Sequence, residues 1–133
     1  MTLTGQPRPP VAALLHKAAS DEAVLAMVLI SDSILGFHAQ QAVEKLLKAL
    51  LMQLLIRYER SHDLEKLCRL LKEGGETLPS TPLSFSNLTN FAVEYRYDFL
   101  PDTIVVDRLE LAETVRILRE FVMRRITALT AQP

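Results

Sequence analysis

From Val11 onward the apolar residues of this chain return every three or four positions, and the strongest breakers gather at Gly74-Gly75, Pro79 to Pro82 and Pro101. That period belongs to helices buried along one face, so the expected fold class is all-α. The chain has 133 residues, of which 49% are hydrophobic and only 6% aromatic, so the core is expected to be aliphatic and the whole length to form one domain. Residues 1–9 and 130–133 are expected to be loose ends.

A first helix is predicted from about Val11 to Ile30, with Leu14, Leu15, Ala18, Leu25 and Val28 inward. The second, from about Ser33 to Tyr58, carries a seam of Val43, Leu47, Leu50 and Leu54, widened by Leu46, Leu51 and Leu55. Ser61-His62-Asp63 offers caps to a third helix ending near Lys72, with Leu64, Leu67, Cys68 and Leu71 inward and Gly74-Gly75 as the stop. Phe85, Leu88, Ala92 and Tyr95 place a fourth from about Ser84 to Tyr97, followed by a turn to Thr103. Asp107 and Glu110 resemble a capping box opening the last helix, in which Leu111, Val115, Leu118, Val122, Ile126 and Leu129 step by three and four. Arg124 and Arg125 suit the dipole at its C-terminal end.

Connections of a few to ten residues make this an up-and-down bundle of four long or intermediate helices and one short one. A mean hydropathy of +0.15 is high for so small a domain, and a second copy covering the surplus apolar surface predicts a homodimer.

A formal net charge of −1 excludes a global electrostatic attraction for nucleic acid or an anionic membrane, while leaving room for a local basic patch. The one cysteine, Cys68, sits in an apolar pattern, which points to packing and to a reducing cytoplasm. Residues 1–10 lack the charged and apolar regions of a secretory signal, and Leu46 to Ile56 is interrupted and too short to span a bilayer. There is no phosphate-binding glycine loop, no Cys or Cys/His pairing for a metal and no nucleophile elbow, so neither cofactor nor metal is expected. His16, His38 and His62 lie on separate elements.

Gln41, Glu44, Lys45 and Lys48 form a polar stripe at i, i+3, i+4 and i+7. On spacing alone this is a solvated helix face with a Glu44–Lys48 pair. The surrounding residues say more. Phe37-His38-Ala39-Gln40-Gln41-Ala42-Val43-Glu44-Lys45, then Lys48-Ala49-Leu50-Leu51, His62-Asp63-Leu64 and Arg96-Tyr97 resemble, in order and distance, the HEPN family, named for higher eukaryotes and prokaryotes nucleotide-binding.

The resemblance implies a four- or five-helix bundle, commonly a homodimer, often encoded beside a minimal nucleotidyltransferase with which it forms a toxin-antitoxin or nucleotide-handling pair. It also implies two styles of activity. Some relatives are metal-independent RNases using an Arg and a His four to six residues apart, the guanidinium holding the phosphate while the imidazole moves a proton. Others are binding or scaffolding modules. Here Arg96, at the family-like position, is followed by Tyr97-Asp98-Phe99-Leu100-Pro101-Asp102-Thr103, with no His.

The leading expectation is therefore a dimeric binding module whose nucleotide or RNA groove is lined by Gln41, Glu44, Lys45, Lys48, Tyr95, Arg96 and Tyr97. The first alternative is an RNase toxin using Arg57 and His62, which have the right letter spacing but precede the third helix, where capping is the structural role open to His62. The second alternative is a helical adaptor acting only through protein association.

Overall fold

The structure, a computed structural model, describes residues 6–89 and 107–131. Helix α1 spans Pro9–Val24 and opens on proline, whose missing N–H is no loss in a first turn. It stops well short of Ile30. The carbonyls of Val28 and Ile30 are held by the Arg108 guanidinium at 3.1 and 2.6 Å, and the same guanidinium reaches Asp32 at 2.7 Å. Before that turn the helix tightens into i→i−3 bonds from Leu25, Ala26 and Met27 to Glu22, Ala23 and Val24, and Val28, expected inside, is 82% exposed.

Helix α2 spans Asp32–Gln53 under a Ser31 cap. It packs against α1, against the ten-residue third helix and against the long last one, and its Leu35, Ala39, Val43, Leu47, Leu50 and Leu51 are fully buried. Its apolar spacing continues to Ile56, but the helix does not. Ile56 N–H donates to Leu51 O at 2.9 Å and Leu55 N–H to Met52 O at 3.1 Å, closing the terminus with Leu55 at φ 61°. Leu55, predicted to widen the seam, is instead 77% exposed.

Helix α3, Leu64–Glu73, is capped by Asp63, whose carboxylate accepts from Glu65 N–H at 3.0 Å. Its far end repeats the α2 pattern, with Glu76 N–H on Leu71 O, Gly75 N–H on Lys72 O, and glycine at the positive φ of 93°. The two ends touch: a Cβ on Gly74 would lie 2.6 Å from Ile56 Cδ1.

Residues 85–89, labelled α4, are helical, and Thr89 Oγ1 accepts from Leu64 N–H at 3.2 Å. The remainder of the predicted fourth helix and the turn to Thr103 lie outside the described residues. Helix α5 spans Arg108–Thr130, with Asp107 Oδ1 accepting from the N–H groups of Leu109 and Glu110. Leu111, Val115, Leu118, Val122 and Ile126 are buried as spaced. The dipole role for Arg124 and Arg125 is not observed, because the last turn holds no basic residue and Arg125 instead grips the buried Glu76 through two bonds of 2.7 and 3.0 Å. The arrangement is an all-α bundle around α2, and none of its described helices is long and apolar enough to cross a membrane.

Candidate functional site

The polar stripe on α2 is not a solvated face. Glu44 is 4% exposed and Gln40 fully buried, and both bond to His62 in the connection between α2 and α3. A charge removed from water needs partners, and Glu44 has three among the described residues. Its Oε1 accepts from His62 Nδ1 at 2.7 Å and from Gln40 Nε2 at 3.3 Å, while Lys48 Nζ lies 3.3 Å from Oε2. A carboxylate only accepts, so Nδ1 of His62 carries the hydrogen and Nε2 is the remaining ring nitrogen.

Gln40 fixes the geometry from a second side. Its amide also donates to the His62 carbonyl at 3.3 Å, and its Oε1 accepts from Gln41 at 2.7 Å. Lys48 lies over the Tyr58 ring, 5.7 Å from the centroid. Burial, and then the charge of Glu44, push the Tyr58 phenol above its ordinary pKa. His62 is therefore no helix cap: Asp63 does that work, Ser61 Oγ accepts from Asp63 N–H, and the imidazole turns inward to Glu44 while its side chain stays 41% exposed.

A second histidine–carboxylate pair lies further up α2. Asp21, almost buried in α1, accepts from His38 Nδ1 at 2.9 Å and pairs with Lys45. Phe37 meets the His38 ring edge to face, with centroids 5.4 Å apart. Both lysines of the expected groove thus already face a carboxylate.

Of the residues proposed from sequence, the structure gathers Gln41, Glu44, Lys48 and His62 into one network and places Lys45 in the neighbouring one. Tyr95, Arg96 and Tyr97 lie outside the described residues. Arg57 is exposed on the connection, in the wall of a cleft of about 660 Å³ that is also lined by Tyr58, Ser61, Lys66 and Arg69. His62 does not line that cleft, although Ser61 beside it does.

Sequence reasoning missed Gln40, His38, Asp21 and Tyr58. Asp21 follows Ala18 by three on the inward phase of α1, and Gln40 precedes Glu44 by four, so helical phase carried a signal for both. Among the described residues no group of three or more His, Cys, Asp or Glu side chains is arranged to hold a metal ion.

Comparison with curated proteins and with solved structures finds no match. A family model described as HEPN domain does match, over residues 26–126, a span holding every member of the Glu44 network and leaving out Asp21. The chain belongs to the HEPN domain family.

Proposed function

We propose that this chain is a HEPN binding module that presents a nucleotide- or RNA-binding surface at the α2–α3 junction. The observation that carries this reading is the 2.7 Å bond that His62 Nδ1 donates to Glu44, which fixes a partly exposed imidazole from beneath. An orientation held by a buried carboxylate and a buried amide costs a ligand little further ordering. Arg96, with Tyr95 and Tyr97 beside it, supplies a phosphate contact and stacking rings on this reading. Lys45 and Lys48 act by neutralising Asp21 and Glu44 rather than by holding phosphate.

The module works as a cytoplasmic homodimer, in keeping with the dimers common in its family, beside a minimal nucleotidyltransferase in a toxin-antitoxin or nucleotide-handling pair. Size-exclusion chromatography with light scattering is expected to give twice the 15.0 kDa chain mass. A monomer at micromolar concentration removes the dimer.

The same bond favours one second reading, a metal-independent RNase. His62, oriented through Nδ1 by Glu44 as in other carboxylate-oriented histidines, is the group that moves the proton on this reading, and Arg57 is the guanidinium for the phosphate. Incubation with a mixed RNA pool in EDTA, beside His62→Ala, separates the two. The binding module predicts RNA retained on the protein and intact on a denaturing gel, with retention weakened in the variant. Cleavage that disappears in a folded His62→Ala variant establishes the RNase instead.

A further inference from the structure

Six large apolar side chains stand exposed among the described residues, and all six border α1 or the turn that continues it. Met27, Val28 and Leu29, the last of them 98% exposed, belong to that turn. Leu109 follows Arg108, whose guanidinium holds the Val28 and Ile30 carbonyls. Met123 shares a hollow of about 300 Å³ with Leu15, His16 and Ala19 of α1. Leu55 shares another, of about 460 Å³, with Arg8 at the start of α1. Apolar surface gathered along one side of a molecule marks a contact with another protein.

Helix α1 is itself apolar on both faces. Val11 and Ala18 are buried against the core, while Ala12, His16, Ala19 and Ala23, spaced by four, three and four, are exposed. Of its charged residues, Asp21 turns inward to His38 and Lys45 and Glu22 is held by Arg119, leaving Lys17 beside the exposed row. A helix without a charged outer face is one that something covers. Side chains as short as these let a second helix approach closely.

The two ends of α1 show what the cover is. At the turn, Asp107 and Glu110 are exposed and form no ion pair with any described residue; at the other end the same is true of Arg8 and Arg57. An apolar knob with an acidic rim and an apolar hollow with a basic rim thus occupy opposite ends of one face. An antiparallel second copy, related by a twofold axis between His16 and Ala19, joins them: Ala12 of one protomer faces Ala23 of its partner, and Arg8 faces Met27. The contact is then made twice, residue for residue, as an isologous interface requires, and acid lies on base at both ends. A parallel copy would set like charges together.

We propose that two copies of this chain pair in this way through α1, with Val28 and Leu29 of each protomer seated in the Met52, Leu55 and Ile56 hollow of its partner. Arg57 and Tyr58 line both that hollow and the cleft at the α2–α3 junction, so each junction is walled on one side by the other protomer. The proposal rests on the homodimer and binding-module readings and assigns the surface that joins them.

The full chain is weighed by size-exclusion chromatography with light scattering beside Ala19→Arg and Leu29→Asp, each checked by circular dichroism. Both positions are exposed, so both variants are expected to keep wild-type helicity and to weigh one chain rather than two. In a Cys68→Ala background, Ala12→Cys mixed with Ala23→Cys is expected to form a disulfide-linked pair on mild oxidation, and neither alone is. RNA retention is expected to fall with the dimer in Leu29→Asp. An Ala19→Arg chain that still weighs two, or a mixture that does not cross-link, overturns this surface and leaves the homodimer to another face, whereas a wild-type chain that weighs one overturns both. Wild-type RNA retention in a monomeric Leu29→Asp chain overturns the shared wall, and a cross-linking wild type that retains no RNA overturns the binding module while the pairing stands.

Discussion

The inner face of α2 and the outer face of α3 both carry cations and carboxylates within a few residues of each other, yet they settle them in opposite ways. Inside, Glu44 and Asp21 are buried, and each meets a histidine and a lysine, with Gln40 as a third donor to Glu44. Outside, Lys66 and Arg69 share a cleft with Glu73 and form no ion pair with any described residue. The contrast follows from solvent. A buried charge without a partner is costly, whereas an exposed pair gains little over two hydrated ions. The inner network therefore belongs first to stability, and the outer cations remain available for a ligand.

The sharpest way to break that comparison is to remove the inner carboxylate. Glu44→Ala leaves Lys48 beneath the connection with Tyr58 as its neighbour, and is expected to cost about 3 kcal/mol in urea denaturation. Lys66→Ala on the outer face is expected to stay within about 0.5 kcal/mol of wild type. A Glu44→Ala cost as small as that of Lys66→Ala would show that the inner network is no more structural than the outer face. Asp21→Ala follows, with an expected cost of about 2 kcal/mol, since Lys45 and His38 lose their shared acceptor, but Asp21 is less deeply buried than Glu44 and Lys45 has more access to water than Lys48.

Much of the bundle was legible in the sequence because burial repeats with helical period: Val43, Leu47 and Leu50, or Leu111, Val115, Leu118 and Val122, fall where their spacing puts them. The helix ends were not, since Leu54, Leu55 and Ile56 continue the apolar pattern past Gln53, and nothing in a leucine's identity announces a positive φ. The candidate site was half legible. Glu44 and His62 were both named, but their partnership joins residues 18 apart and depends on where the α2–α3 connection crosses the helix, which spacing does not encode. A solvated stripe and a buried one have the same letters.

The two matching helix ends give a smaller test of the same contrast. Gly75 closes α3 without strain, while Leu55 closes α2 with it. Gly75→Ala is expected to destabilise by about 1 kcal/mol, the cost of placing a Cβ in the left-handed region. Leu55→Gly is expected to stabilise by up to about 1 kcal/mol, because the exposed side chain loses little packing and the strain is relieved. Because Leu55 lines the hollow proposed to seat the partner's turn, that same variant is expected to weaken dimerisation. A Leu55→Gly protein that is both more stable and equally dimeric would make the strain incidental.

Cys68 marks the boundary between the two faces and gives the smallest effect. It lies on α3 between the buried Leu67 and the exposed Arg69, packed against the core, and burial pushes its thiol up to about 11 from the ordinary 9.0. Nearby Lys72 lowers it, but by less than burial raises it. The unfolded chain releases the thiol proton near pH 9 and the folded chain only near pH 11, so between those values the native state holds more protons than the unfolded one. The contribution to stability is thus complete below pH 9 and is lost as pH rises through 11. Tyr58, also raised, bends the curve in the same direction, so the comparison must be between wild type and Cys68→Ala rather than with a flat line. Denaturation midpoints taken at pH 8, 9, 10 and 10.5 are expected to fall more steeply in wild type than in the variant, and the folded thiol is expected to react with a disulfide reagent more slowly than the urea-unfolded one. Parallel pH curves together with rapid labelling would place Cys68 on the solvent side, moving the boundary between the two faces inward by one residue.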